Sequence, residues 1–439
     1  MGERLEQVQR LTEEYSDLPR EVVVKEDLLR TGLAFSADAL RVASGFKSKA
    51  YFIFSFDLVP ISEMAQQENL HAPEEICLKG GPKDFRRTIV SVRLNPSSPY
   101  RIELSCEGHL ILALEGTELA EVEFPEVPEY YRRTLVGGKP ITDIAPTIEW
   151  GYLLYLTVFR MCQYFGRKIE CQFCDINENY RQQKNSGRSY TAVKAVDEIL
   201  EALEIIQETD SESRAYTVTG GSVTSTLDGK SEIDFYVQYP EAIERRFPGR
   251  WIGKAVVQAL PPDEVKRFHD AGIQIYHPNY EVWDPRLFGI ICPGKDRYIG
   301  RDQWIQRILD AAEVFPPSQV IPNFVAGIEM ARPEGFTNVD EALNSTGEGL
   351  DFFMSRGIIP RFTTWCPEPL SVLGRKNPKG APLEYHVGLL RVWKQTHQRY
   401  NLKAPPGYGS SGIGNAVFSV SSFMDVIEEQ DNPRSQEHD

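Results

Sequence analysis

Three cysteines, Cys162, Cys171 and Cys174, stand close together in a chain of 439 residues that holds seven cysteines in all. Their spacing is Cys-x8-Cys-x2-Cys. Three thiolates on one loop can hold three irons of a cubane [4Fe–4S] cluster and leave the fourth iron open for a ligand. An open iron is what a catalytic cluster needs, whereas an electron-transfer cluster is normally closed by four cysteines. Cys-x2-Cys by itself says less, because zinc knuckles and thioredoxin-like redox pairs carry it too. A zinc-binding barrel enzyme, or a scaffold that keeps a cluster without turnover, is therefore the alternative reading.

The elements around the loop give these cysteines a place. From about residue 151 six apolar strand candidates follow one another: Tyr152–Met161, Ala215–Thr219, Trp251–Leu260, Gly272–Tyr276, Val320–Val325 and Ile358–Trp365. Helical patterns fall between them. In Tyr190–Gln207, Val193, Val196, Leu200, Leu203 and Ile206 share one face, and Arg301–Phe315, Val339–Met354 and Glu384–Tyr400 read as further helices. Strands alternating with helices predict parallel βαβ units. The expected fold is α/β, a partial (βα)6 TIM-type barrel over 151–400 with its active site at the C-terminal ends of the strands. Cys162 then closes the first strand, and Cys171 and Cys174 sit in the loop before the next helix. Residues 1–150 read as a smaller β-rich accessory region. Tyr51–Val59 is a strand candidate there, and Tyr100–Phe124 is a meander broken at Glu107-Gly108 and Glu115-Gly116. Pro125 to Pro146 is the candidate boundary. Residues 401–439 read as a Gly/Pro/Ser-rich, finally acidic tail whose last ten or so residues are disordered.

The three-cysteine loop after a first barrel strand resembles the radical S-adenosylmethionine (SAM) superfamily, in particular its biotin-synthase-like branch. The usual pattern there is Cys-x3-Cys-x2-Cys, so the eight-residue spacer Gln163–Glu170 is a departure, and it must bulge further to bring Cys162 to the cluster. Phe173 resembles the aromatic that packs over the cluster. The resemblance extends over about 150–370. Thr219-Gly220-Gly221-Ser222 resembles the Gly-Gly-Glu-like turn whose backbone meets the SAM amino group, with Ser222 where Glu is common. Glycine there lets a backbone approach a ligand closely. His277-Pro278-Asn279-Tyr280-Glu281 resembles the segment after strand four, which implies that Asn279 and Glu281 bind the ribose and carboxylate of SAM. Asn323 to Glu329 resembles the segment along the adenine, with Gly327 as its glycine. Arg361–Gly374 resembles the segment after strand six, although Leu370 stands where a small residue is usual. The implied cofactors are a [4Fe–4S] cluster and SAM. The implied chemistry is reductive cleavage of SAM and hydrogen abstraction from a small-molecule substrate, with electrons from a donor such as ferredoxin or flavodoxin.

Other signals rank lower. Gly407-x-Gly409-x-x-Gly412 matches a dinucleotide fingerprint as a string but follows Pro405-Pro406 instead of a strand, so it reads as a flexible loop. Cys77, Cys106, Cys292 and Cys366 are scattered, without ligand-like spacing. Cys366 lies just past strand six, on the mouth side. It is either a packed thiol or a thiol that returns a hydrogen atom to a substrate radical. Tyr276, His277 and His386 are weaker candidates for substrate contact. The net charge of −15 disfavours a phosphate backbone as partner. The polar start of the chain, the odd cysteine number and the shortness of the apolar run Gly151–Phe159 predict a cytoplasmic protein without a membrane span.

Overall fold

The apolar runs predicted as strands pair side by side in the computed structural model, which describes residues 2–64, 71–186 and 191–428. Strands β1 to β6 are Ala34–Phe35, Glu75–Gly80, Phe85–Ser91, Tyr100–Leu104, Leu110–Leu114 and Thr117–Glu123, and β7 is Thr147–Ile148. Strands β8 to β13 are Leu153–Phe159, Ala215–Gly220, Ile252–Val257, Ile273–Pro278, Asn323–Ala326 and Arg361–Thr364. These last six are the six expected from the sequence. β8, β9, β10 and β11 pair in parallel in that order, and β12 pairs in parallel with β13. Parallel bridges from Tyr276 to Val320 and from Glu281 to Phe324 join the two groups. The result is an open six-stranded α/β barrel with helices outside, including Val196–Thr209, Arg301–Val314, Val339–Met354 and Leu383–Arg399. The start of the expected helix at Tyr190 lies outside the described residues.

The open side of the barrel is covered by the rest of the chain. β1 to β6 form one sheet in the order β1-β4-β5-β6-β2-β3. The Tyr100–Phe124 meander supplies three of its strands, turning where Gly108, Glu115 and Gly116 take positive φ. Two helices precede it, Glu3–Glu14 and Arg20–Thr31, which the reading of this region as β missed. Their signal was legible: Leu5, Val8 and Leu11 recur at helical spacing and all three are buried.

Tyr51–Val59 is not a strand. Tyr51 and Phe56 have φ of 51° and 48°, which no extended ladder accepts. A buried ion pair holds the segment as a loop. Lys49 Nζ donates to Asp57 Oδ1 at 2.6 Å and to the Val92 carbonyl at 2.8 Å, and Leu94 N–H donates to the same carboxylate oxygen. The aromatic side chains that looked like a strand face are spent instead on the barrel mouth.

The described part of the tail is integral to the core. Ser419 accepts from Ser91 N–H of β3, and Val420 accepts from Thr364 N–H of β13, so the tail stitches the N-terminal sheet to the last barrel strand. Gly407–Gly412 is not a free loop: Tyr408 is fully buried, and Lys254 Nζ from β10 donates to the Gly407 carbonyl. Gly407 has φ +86°, and a Cβ there would press on Ile275 and Lys254. One apolar cluster runs from Leu5 through the barrel to Ile427, across both expected boundaries at 150 and 400. The disordered end expected from the sequence lies beyond residue 428, outside the described residues. Among the described residues no helix is long and apolar enough to cross a membrane.

Candidate functional site

β8 ends at Phe159, and the chain runs over the barrel rim into the cysteine loop. Cys162 is fixed by its backbone, whose N–H donates to Asn177 Oδ1 at 2.7 Å. Asn177 lies in the first turn of the helix Ile176–Asn185, so the helix that follows the loop clamps the loop's start. The long spacer is anchored inward. Tyr164 is fully buried, and its hydroxyl donates to Gln258 Oε1 just past β10. Phe165 packs with Cys162 and Cys174 against Phe52, Ile53 and Ile176. Lys168 turns the chain back with φ 56°. Gln172 then joins the loop to its neighbours: its N–H donates to the Ile291 carbonyl, and its own carbonyl accepts from Leu373 N–H.

The three thiols share the wall of one cavity at the C-terminal ends of the strands, which holds about 1700 Å³ of free space with its mouth included. Gly220, Gly221, Ser222, Phe173, Asn279, Glu281 and Cys366 line the same cavity. Burial drives the Cys162 thiol up to about 12 and the Cys174 thiol well above its usual range, with Cys171 adding to both. Such thiols stay protonated and inert unless a metal takes the proton's place. A single zinc with bonds of about 2.3 Å needs its tetrahedral thiolates about 3.8 Å apart. Among the described residues no three metal-ligating groups are gathered for one ion. Three thiols on one cavity wall fit the three-iron ligation of a cubane cluster, with zinc and a further donor as the alternative.

Cys292 modifies the picture drawn from spacing. It is not isolated: its thiol lies within hydrogen-bonding reach of Cys171. It is fully buried, does not line the cavity, and sits behind Cys171. The cavity face of the three-cysteine set is therefore open.

The other expected residues divide. Gly220 and Gly221 close against the cysteine loop. A Cβ on Gly220 would collide with the Phe159 carbonyl and the Tyr236 hydroxyl, and one on Gly221 with the Met161 carbonyl and Cys162. The chain's own packing demands glycine here, independently of any ligand. Gly221→Ala is accordingly expected to disturb Cys162 itself. Overpacking of this kind costs about 1–3 kcal/mol, and iron loading of the variant should fall; unchanged loading would show that the loop yields. Asn279 Oδ1 is buried without a hydrogen-bond partner. Glu281 is held by Lys295, which also donates to the Asn279 carbonyl at 2.8 Å. Gly327 does not join them. It lies off the cavity, with φ +106°, and a Cβ there would meet Ala381 and His386. Asn323 and Val325 from the same strand line the cavity in its stead. Cys366 is 2 % exposed and lies on the cavity wall.

Sequence reasoning missed several groups. Lys295, Tyr164 and Asn177 act through partners 14 to 94 positions away, outside any motif that spacing marks. Glu232, at the start of the helix Glu232–Arg246, reaches back to the turn after β9, where Val223 N–H points at its Oε1 at 3.5 Å. Burial raises its carboxyl to about 8. His277 lines the cavity as one of the weaker candidates, with Nδ1 on the Ile321 carbonyl at 2.9 Å and Nε2 unpartnered. Tyr276 and His386 do not line it.

Comparison with known proteins gives partial likenesses. No family model matches the chain. A curated protein, bacteriochlorophyllide c C-7(1)-hydroxylase from Chlorobaculum limnaeum, is 26 % identical over 174 residues, 37 % of this chain and 40 % of the relative. The chain thus matches well under half of that protein's length. Among solved structures, methylornithine synthase (PylB) is similar with a TM-score of 0.41 at 12 % identity, over 62 % of this chain and 76 % of that one. Coproporphyrinogen III oxidase (HemN) from Escherichia coli, a radical SAM enzyme, is similar with a TM-score of 0.35 at 9 % identity, over 57 % of this chain and 52 % of that one. The chain is thus similar, over part of its length, to the bacteriochlorophyllide c hydroxylase, PylB and HemN.

Proposed function

We propose that this chain is a radical SAM enzyme, with a [4Fe–4S] cluster on Cys162, Cys171 and Cys174, SAM beside it, and a small-molecule substrate in the barrel below. The observation that supports this best is convergence. Three thiols, the Gly220-Gly221-Ser222 turn, Asn279 and Glu281 come from three separate stretches of sequence and share one cavity wall. With cluster and SAM bound, one electron supplies a carbon radical able to take hydrogen from a substrate, and the protein orients the partners and excludes water.

The chain's own groups fit those tasks. Ser222 stands where an acid is usual in the resembling turn, and the buried Glu232 carboxyl offers an acid at the same place for the SAM amino group. Asn279 Oδ1, buried and unpartnered, offers an acceptor to a ribose hydroxyl. Lys295 holds Glu281 in place through its Oε1. The loop bearing Phe52, Ile53, Phe54 and Phe56 walls the cavity and keeps water out. An electron donor such as ferredoxin or flavodoxin must reach the cysteine loop from outside. There the spacer exposes Arg167 and Lys168, charges that suit an acidic donor.

The reading is tested by reducing reconstituted protein with SAM anaerobically and measuring 5′-deoxyadenosine. The role of Cys366 is read from the same assay once a substrate is found. As a hydrogen donor, Cys366→Ser continues to cleave SAM while the ratio of product to 5′-deoxyadenosine collapses. As a packed thiol, it leaves that ratio unchanged in a folded, cluster-loaded variant.

A further inference from the structure

The cavity extends below the cysteine loop into the barrel, and its floor carries charge. Lys254 of β10 and Arg361 of β13 point into it, with Glu75 and Glu149 opposite. The charges do not balance in kind. Glu75 is fully engaged, accepting the Glu149 N–H at 2.7 Å on one oxygen and the Trp150 N–H at 2.9 Å on the other. Glu149 and Lys254 face each other, and burial pushes both toward their neutral forms, Glu149 upward and Lys254 downward. Arg361 has no such escape, because a guanidinium does not deprotonate in a protein. No carboxylate forms an ion pair with it among the described residues.

Arg361 is nevertheless held in a defined pose. Its Nε donates to Asn323 Oδ1 at 3.1 Å, and its Nη1 donates to the Tyr408 hydroxyl at 3.1 Å. Tyr408 and Phe418 flank the guanidinium. The Asn323 oxygen is fixed in turn by Thr363 Oγ1 at 3.0 Å. Among the described residues no acceptor is bonded to Nη2. Two more polar atoms on the same wall, His277 Nε2 and Thr217 Oγ1, are buried and unpartnered, although their residues are 0 % and 1 % exposed. Buried polar atoms are nearly always satisfied, so these two, beside the guanidinium, call for a ligand that meets the Thr217 hydroxyl and brings a donor to His277 Nε2, the acceptor of a ring whose Nδ1 donates to the Ile321 carbonyl. Above this floor the walls are apolar, with Phe52, Phe54, Phe56 and Tyr155.

We propose that Arg361 is the anchor for an anionic oxygen group of the substrate, a carboxylate or a phosphate, whose apolar body rises along the aromatic wall toward the cysteine loop. This rests on the reading of the cavity as a substrate chamber. The substrate class is then an amphiphile: anionic at one end, apolar along its length, and reactive at a carbon on the apolar part.

The test is a binding measurement on full-length, cluster-reconstituted protein without reductant, so radical turnover plays no part in it. The probes are naphthalene-2-acetate, naphthalene-2-acetamide and naphthyl-2-phosphate, followed by probe fluorescence. The anions should bind about tenfold or more tighter than the amide, the difference a charge-assisted hydrogen bond supplies. The preferred anion names the group. Arg361→Gln should erase the preference, and Arg361→Lys should restore part of it, with circular dichroism confirming the fold of each. Equal affinity of the wild-type protein for amide and anions, or no binding of either anion, overturns the proposal whatever the variants do. A preference that survives in folded Arg361→Gln places the anion elsewhere and also overturns it. Failure of the radical reading would appear separately, as a lack of 5′-deoxyadenosine with anion preference intact.

Discussion

Replacing any one of Cys162, Cys171 or Cys174 with Ala is expected to drop the iron of anaerobically reconstituted protein from about four per chain, the content of one cubane, to background. Each thiol serves one iron in this account. Glu281 is tied to Lys295, and Cys366, after β13, is a separate buried thiol on the same cavity wall, so Cys366→Ala is one control. The informative control is Cys292→Ala. Cys292 touches Cys171 from behind and lies off the cavity, so its removal should leave the iron in place. Iron lost from Cys292→Ala but kept in Cys162→Ala would exchange the two residues in the ligand set. Iron and sulfide analysis with the visible absorption spectrum reads both outcomes, and zinc in place of iron would return the protein to the alternative reading.

Asp425→Ala is expected to destabilise the protein by about 3–5 kcal/mol, the cost of leaving a buried charge without its partner. Lys25 Nζ donates to Asp425 Oδ2 at 2.8 Å and to the Phe418 carbonyl at 2.7 Å, and both side chains of the pair are 1 % exposed. This pair ties the helix Arg20–Thr31 to the tail. The same helix reaches the barrel through Glu26, which accepts from Thr364 Oγ1 and from Ser422 N–H. Loss of Asp425 therefore loosens the seam that closes the open barrel. Replacing both partners with apolar residues, as in Lys25→Met with Asp425→Leu, should recover much of the loss, because no orphaned charge remains. Denaturant melts measure both. An Asp425→Ala protein as stable as wild type would mean that the tail is dispensable.

The contrast between those two predictions follows what the sequence could reveal. The barrel strands and the cysteine loop were legible because their signals are local: apolar runs bounded by turns, and three thiols within thirteen residues. The tail was not. Gly, Pro and Ser between Ala404 and Ser422 look like a linker, and their burial depends on partners up to 400 positions away, such as Lys25 with Asp425. Tyr51–Val59 misled for a related reason. Its aromatics satisfy a strand pattern, but the Lys49–Asp57 pair and two left-handed residues set the backbone. Gly327 shows the reverse case. A glycine was expected to lie against a ligand, and it is needed instead for its positive φ and for room beside His386. Arg361 looked like an ordinary strand residue, since nothing local shows that a charge will lack a partner.

The central claim is that the cysteine loop supports reductive cleavage of SAM. The most direct measurement is 5′-deoxyadenosine formed by full-length, iron-loaded protein given SAM and a strong reductant without oxygen. The account predicts formation that depends on reductant and disappears in the Cys162→Ala, Cys171→Ala and Cys174→Ala variants. Protein loaded with iron and sulfide that yields no 5′-deoxyadenosine above the level of those variants would contradict it.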